Sequence, residues 1–325
     1  MTETVGDLSV RSKRWGGYHL YRINPDGTGR KQITFGFDDD RSPRFSPDGK
    51  QILFLRKEGK YTARLCLMSA DGGTVHTLAH QIQVEYDRLP REKLGWSPDG
   101  RTIGYISNQG LVLLDSHGHR LRTIDNVEEF QWSPDGHRLY LGRGGSGRIL
   151  DLTTGKLFLI AAHLLYPAWL DNSSLVGTCS SWGIYTDVQN DITLATASSS
   201  GVRIKKLAVN IGDTFLRRSE WSRLGSVPLF FIVVTRSNIS DGEHQYCSLV
   251  NTQPCTITDL YAGDLIAIAP NGKHCAVAKH DWFGPYKRGG ARMGALEIID
   301  LATKKATAIT SKLMDISDGD WRQSK

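Results

Sequence analysis

Phe45-Ser46-Pro47-Asp48-Gly49 is the stretch that decides the fold. It returns as Trp96-Ser97-Pro98-Asp99-Gly100 and as Trp132-Ser133-Pro134-Asp135-Gly136. Weaker copies follow at Trp169-Leu170-Asp171-Asn172-Ser173, Trp221-Ser222-Arg223-Leu224-Gly225 and Ile268-Ala269-Pro270-Asn271-Gly272, and Trp321 is a last aromatic of the same kind. The phrase encodes a tight turn. Proline presets φ, the Asp or Asn side chain bonds nearby backbone, and glycine takes positive φ. The aromatic before it suits a core layer. The runs after it, such as Ile52–Leu55, Ile103–Ile106 and Leu139–Leu141, are apolar and strand-like.

The spacing of the phrase gives the architecture. From Asp48 the equivalent positions are Asp99, Asp135, Asn172, Leu224 and Asn271, at intervals of 51, 36, 37, 52 and 47 residues. A unit of roughly 40–50 residues with four short strands is a β-propeller blade. A β-sandwich would also be all-β, but ordinary hairpins do not repeat one phrase in register. Inner strands are expected to start at Pro43, near Leu94, at Phe130, at Ala168, near Glu220 and near Leu265. Residues 15–35 supply outer strands with no inner strand before them, and 318–323 supply an inner strand with nothing after it. Pairing these ends makes a seventh blade, so the expectation is an all-β, seven-bladed propeller closed by its terminal strands. Six blades is the alternative. The whole of 1–325 reads as one domain, with 1–14 partly disordered and Leu8–Arg11 as a short strand.

The three intact turns, each after Phe or Trp, resemble the TolB-like, Trp-Asp-repeat-like β-propeller family. So do the outer hairpins at Leu20–Gly27 and Leu65–Gly73. The same repeat occurs in the propellers of tricorn protease and dipeptidyl-peptidase-type enzymes. The resemblance implies a propeller and says little about activity, because the repeat serves scaffolds and enzymes alike.

Composition narrows the field. The chain has 325 residues, 39% of them hydrophobic, with 34 glycines and no long apolar stretch that would make a transmembrane helix. Met1–Asp7 lacks the charged and apolar regions of a signal peptide, so the expectation is cytoplasmic, or periplasmic if a leader has been removed. The five cysteines are scattered and form no Cys-x-x-Cys, which suits free thiols in a reducing compartment. Cys247 and Cys255 could face each other across a hairpin. A net charge of +6, with signs interspersed, favours a mixed surface over nucleic-acid binding. The expected partner is another protein or a small polar ligand, with no nucleic acid and no membrane, and the chain is expected to be a monomer.

Propeller ligands sit at one end of the channel, on loops between blades and between second and third strands. The Ser-Pro-Asp-Gly turns lie at the other end, which makes their aspartates structural. Most loops before inner strands carry a carboxylate: Asp40, Asp87, Glu129, Glu220, Asp264 and Asp320, while the third-to-fourth connection offers His163 and Tyr166. Carboxylates drawn toward one axis repel, and a cation relieves them. Asp40, Glu129, Glu220 and Asp264 are therefore candidate ligands for a divalent cation such as Ca²⁺, although solvated loop acids need no cofactor at all. The long loop 279–292 groups Trp282, Phe283, Tyr286, Arg288 and Arg292, and Trp182 and Tyr185 have similar character in the fourth blade. Exposed aromatics and arginines on loops are typical anchors for a partner.

Catalytic motifs are absent or out of place. There is no Gly-x-Ser-x-Gly, no His-Glu-x-x-His and no Walker loop. Gly142–Gly147 matches Gly-x-Gly-x-x-Gly, but it joins two strands with no helix to bind a pyrophosphate. His117-Gly118-His119 sits at an outer turn. The sequence thus points to a non-catalytic binding scaffold. The alternative is a lyase or hydrolase of a carbohydrate-like ligand in the channel mouth.

Overall fold

The structure is a computed structural model. It describes residues 8–14, 17–83, 94–144, 146–180, 190–198, 201–208, 214–218, 223–224, 227–238, 242–252, 255–262, 264–269, 273–280, 294–310 and 316–322. All regular elements among them are strands. In chain order they are β1 (Leu8–Arg14), β2 (Gly17–Ile23) and β3 (Lys31–Gln32); β4 (Asp40–Phe45), β5 (Gln51–Lys57), β6 (Thr62–Ser69) and β7 (His76–Gln83). Next come β8 (Leu94–Trp96), β9 (Thr102–Ser107), β10 (Gly110–Asp115) and β11 (Arg120–Asp125); β12 (Glu129–Trp132), β13 (Arg138–Arg143), β14 (Ser146–Asp151) and β15 (Leu157–Trp169). They continue with β16 (Ser174–Ser180), β17 (Asn190–Ser198) and β18 (Gly201–Ala208); β19 (Thr214–Arg218), β20 (Arg223–Leu224), β21 (Val227–Asn238), β22 (Gly242–Thr252) and β23 (Cys255–Ala262). The last are β24 (Asp264–Ile268), β25 (His274–His280), β26 (Gly294–Asp300), β27 (Ala306–Ala308) and β28 (Ile316–Trp321).

These form antiparallel sheets of mostly four strands in a β-propeller arrangement. Three sheets run β4 to β7, β8 to β11 and β24 to β27; β19, β21, β22 and β23 form another, to which β20 adds. β12 to β18 form one seven-stranded sheet, because β15 ends one four-stranded set and begins the next. Its Pro167 falls where the pairing with β16 slips, between Leu165 and Ala168, a place where the missing N–H costs nothing. His163 and Tyr166, expected in a loop, therefore lie inside a continuous strand. The fifth inner strand begins at Thr214, ahead of the expected Glu220.

The chain divides into two compact units, one of 1–108, 112–122 and 263–325, the other of 109–111 and 123–262. In the first, β28 pairs with β1 and the sheet order is β28-β1-β2-β3. Leu8 lies opposite Trp321 on one side and Ile23 on the other. The amino-terminal strand is thus longer than Leu8–Arg11 and sits second in its sheet. Alternation along β2 sends its side chains to two cores. Tyr21 and Ile23, with Trp321, pack against Ile266, Ala276, Leu296 and Ile298 of the β24–β27 sheet. Leu20, with Ile33, packs against Ile52, Phe54 and Met68 of the β4–β7 sheet. The other face of that sheet, Leu53, Leu55, Leu65 and Leu67, meets Leu94, Ile103, Val112 and Leu114. In the second unit, Ile149, Phe158 and Ile160 pack on Leu175, Ala195 and Ala197. Sheets packed face to face with apolar residues on both faces explain why the strands read as runs of Val, Ile and Leu.

The Ser-Pro-Asp-Gly turns share one geometry. Gly49 N donates to Ser46 O, and Ser46 N to Gln51 O. The buried Ser46 hydroxyl donates to Asp48 Oδ1 at 2.7 Å and accepts from Gln51 N at 3.0 Å. Asp48 Oδ1 also accepts from Lys50 N. The same bonds recur around Ser97 and Asp99 and around Ser133 and Asp135. The glycines have φ of 68°, 70° and 74°, in the left-handed region where a side chain is costly. The fourth copy keeps the turn by other means: Asp171 Oδ1 accepts from Ser173 N and Ser174 N.

Tryptophans before the turns tie neighbouring inner strands together. Trp96 Nε1 donates to Arg44 O at 3.4 Å, and Trp169 Nε1 to Gln131 O at 3.2 Å.

Candidate functional site

Two of the four candidate carboxylates have described side chains. Asp40 opens β4 and lies opposite Arg56 on β5. Its side chain is 0% exposed. Both of its oxygens are used: Arg56 Nε donates to Oδ1 at 2.7 Å and Nη2 to Oδ2 at 3.0 Å. Asp38 adds a second carboxylate 3.5 Å from Arg56 Nη1. The hydrogen bond to Asp40, with the charges of Asp40 and Asp38, raises the guanidinium's pKa against the effect of burial. A buried bidentate pair of this kind satisfies a carboxylate that would otherwise be very costly to desolvate.

Glu129 holds the corresponding place in the second unit. It opens β12, opposite Gly142 on β13. The Tyr140 hydroxyl donates to Glu129 Oε1 at 3.1 Å. Tyr140 is itself buried, and burial first, then the Glu129 charge, raises its phenol's pKa. Glycine at 142 leaves the carboxylate its place, since a Cβ would stand 2.2 Å from Glu129 Oε1 and displace that side chain. At Gly147 a Cβ would meet the Tyr140 ring at 2.8 Å. The Gly142–Gly147 run is thus a hairpin whose glycines make room for a Tyr–Glu pair, consistent with a strand-to-strand loop.

The remaining candidates are placed less fully. Asp264 opens β24 opposite Ala278, and its position is known from backbone register alone. Glu220, Asp87, Trp182, Tyr185, Trp282, Phe283, Tyr286, Arg288 and Arg292 lie outside the described residues. Trp182 and Tyr185 fall between β16 and β17, and Trp282, Phe283, Tyr286, Arg288 and Arg292 between β25 and β26, each a connection from second to third strand of its set; Asp87 falls between β7 and β8 and Glu220 between β19 and β20. Asp320 is corrected. It stands at the end of β28 beside Trp321, and its Oδ2 accepts from Phe45 N at 2.7 Å, close to the Ser46 turn. It therefore belongs to the turn end of its sheet and not to the end where the inner strands begin. Among the described residues no three His, Cys, Asp or Glu side chains are grouped to hold a metal ion.

Sequence reasoning missed the partners. Arg56 closes the apolar run 52–55, and a charge at that position, one strand from Asp40, was the available signal. Tyr140 looked like an ordinary core aromatic. His119 Nδ1 lies 2.9 Å from Asp115 Oδ2 in an exposed turn, and that bond with its neighbours holds the carboxyl down to about 2. Cys247 and Cys255 do not face each other. Cys255 pairs with Thr252 and Cys247 with Tyr261, which separates them by about 16 Å along the strands. No helix among the described residues is long and apolar enough to cross a membrane.

No protein-family model matches the chain. An uncharacterised protein of Agrobacterium fabrum is 27% identical over 106 residues, which is 30% of this chain and 35% of that one. The match thus spans about a third of the relative's length. Among solved structures, TolB from Acinetobacter baumannii superposes with a TM-score of 0.56 at 15% identity, covering 98% of this chain and 67% of that one. The dihydro-heme d1 dehydrogenase NirN gives 0.58 at 15%, covering 98% and 75%. Prolyl oligopeptidase B from Galerina marginata gives 0.64 at 14%, covering 94% and 48%. The chain has the β-propeller fold of TolB, and two of these three structures of the same fold are enzymes by name.

Proposed function

We propose that the chain is a single, seven-bladed TolB-like propeller that acts as a non-catalytic binding scaffold. Its partner is a protein or a small polar ligand. The contacts come from the loops at the end opposite the Ser-Pro-Asp-Gly turns, with Trp282, Phe283, Tyr286, Arg288, Arg292, Trp182 and Tyr185 as anchors. The observation that carries this reading is the engagement of the two described carboxylates. Asp40 is consumed by Arg56 and Glu129 by Tyr140, so each already serves the fold that displays the loops. The buried free thiols Cys66 and Cys275 fit a reducing, cytoplasmic setting.

The test compares the intact wild type with Trp282→Ala in pull-down and then in titration against the purified partner. The expected result is a loss of about 2 kcal/mol in binding with an unchanged melting temperature. A large loss of stability with unchanged binding would assign Trp282 to the core instead. The rival reading is an enzyme acting on a carbohydrate-like ligand, aided by a divalent cation near Asp40, Glu129, Glu220 and Asp264. One observation favours it: Glu129 is only partly buried, so its carboxylate is open to a ligand or cation on its exposed side. Heat and a melting shift on adding calcium, magnesium or manganese would support the rival.

A further inference from the structure

The turn between β10 and β11 presents two imidazoles on a fixed frame. Asp115 N donates to His119 O at 2.9 Å, and Gly118 N donates to Asp115 O at 3.1 Å. Asp115 Oδ1 accepts from His117 N and from His119 N, each at 2.9 Å. Gly118 takes φ of 91° and lies against Leu78 of β7, where a Cβ would stand 3.2 Å from Leu78 Cδ2. The backbone that carries His117 and His119 is therefore held by its own hydrogen bonds and by the neighbouring sheet. Both side chains are exposed. Their ring centres lie 6.3 Å apart, with the planes at 29°. His119 Nδ1 lies 2.9 Å from Asp115 Oδ2. An ionised carboxylate only accepts hydrogen bonds, so Nδ1 carries the ring proton and the neutral ring keeps a lone pair on Nε2. The side chain of the adjoining Arg120 bonds Tyr105.

We propose that His117 and His119 together chelate a divalent transition-metal ion of the kind that imidazole favours, such as Zn²⁺ or Cu²⁺. Two imidazoles bound to one ion through bonds of about 2.1 Å have ring centres about 5–6 Å apart. The observed separation is close to that, and exposed rings reach it by small side-chain rotations. Asp115 stands where a carboxylate stands behind a metal-binding histidine, fixing the ring and raising its basicity. No third His, Cys, Asp or Glu among the described residues joins the pair, so water completes the coordination and the ion exchanges readily. His80 shows what sets the pair apart. It also holds Nδ1 against a carboxylate, Glu58 Oε1 at 2.8 Å, and its side chain is 62% exposed. The residues two positions from it are Leu78 and Ile82, so it offers a single imidazole. The site is separate from the carboxylates of the inner strands and does not depend on the scaffold reading.

The test footprints the histidines of the intact chain with diethyl pyrocarbonate, read by mass spectrometry, with and without Zn²⁺. The expected result is that Zn²⁺ slows modification of His117 and His119 together and leaves His80 unchanged. Calorimetry with Zn²⁺ should show the tightest site weakened at least tenfold in His117→Ala and in His119→Ala, and unchanged in His80→Ala, with equal melting temperatures. Asp115→Asn should weaken it about tenfold, because the amide donates to Nδ1 and moves the ring proton to Nε2. The electron paramagnetic resonance spectrum of the Cu²⁺-loaded wild type should show coupling to two imidazole nitrogens. No protection, protection of His80 equal to that of the pair, or coupling to one imidazole alone would overturn the proposal. So would a Zn²⁺ affinity indifferent to either alanine variant or to Asp115→Asn. Footprinting and the copper spectrum use the wild type, so they decide the matter even if a variant unfolds.

Discussion

Asp320 Oδ2 accepts a 2.7 Å hydrogen bond from the backbone N–H of Phe45, a residue 275 positions earlier in the chain. The carboxylate of the last strand thus clamps the first inner strand at the start of its Ser-Pro-Asp-Gly turn. Asp320→Ala should cost about 1.5–3 kcal/mol, the usual worth of a hydrogen bond to a charged group. Trp321→Ala, which empties a site 3% exposed among Tyr21, Ile23 and Leu296, should cost about 3–5 kcal/mol. Chemical denaturation of both variants is the measurement. Unchanged unfolding midpoints would mean that the terminal strand is a passive addition.

Arg56→Ala should destabilise more than most single changes, by about 3–5 kcal/mol, because it leaves Asp40 charged, buried and unpaired. Adding Asp40→Asn should recover part of that loss. A double-mutant cycle in urea gives the coupling, and near-zero coupling would contradict the bidentate geometry.

The turn aspartates predict an acid limb. Hydrogen bonds from Ser46 and Lys50 N–H lower the pKa of Asp48, and those from Ser97 and Arg101 N–H lower that of Asp99. For Asp135 burial acts upward and is outweighed by Ser133 and His137 N–H. Folded values below the unfolded 3.8 mean stability that is present above that pH and lost as pH falls through the folded values. The unfolding midpoint should therefore drop below about pH 3.8. The triple variant Asp48→Asn/Asp99→Asn/Asp135→Asn should start lower at neutral pH and decline less steeply.

Gly142→Ala should act through Glu129. The added methyl would enter the space held by Oε1 and break the Tyr140 contact, at a cost of about 1–3 kcal/mol. Thermal melts of the wild type, Gly142→Ala and Glu129→Ala/Gly142→Ala test the route. If the double variant is no more stable than Gly142→Ala, the clash is not with Glu129.

Burial pushes the thiols of Cys66 and Cys275 up to about 11 and about 12. Both should resist a thiol reagent at neutral pH in the folded chain and react only on unfolding. Rapid labelling of either, mapped by mass spectrometry, would contradict their burial.

The fold was largely legible because its signal is periodic. Serine, proline, aspartate and glycine each have one duty in the turn, so three copies in register located strands that the structure confirms within a few residues. The fourth copy hid its turn because Asp171 works with Ser173 and Ser174 in place of proline and glycine. The acidic positions were legible as positions and not as chemistry. Nothing in the local sequence pairs Asp40 with Arg56, because the bond depends on strand register. Asp320 misled for a related reason: β28 begins four residues before it, and one strand length separates the two ends of a sheet.

β15 has a consequence for how the chain can vary. Side chains along a strand alternate faces, so one residue added between Leu157 and Ile160 would swap buried Phe158 and Ile160 with exposed Leu157 and Leu159. The shift would carry as far as the slip between Ile160 and His163, where the pairing with β14 is already irregular. Insertions and deletions are absorbed where chain can bow outward, as at Gly36, or at the existing slips between Ile160 and His163 and between Leu165 and Ala168. Ahead of the first of these slips the segment is fixed in length, and related chains should differ there by substitution alone.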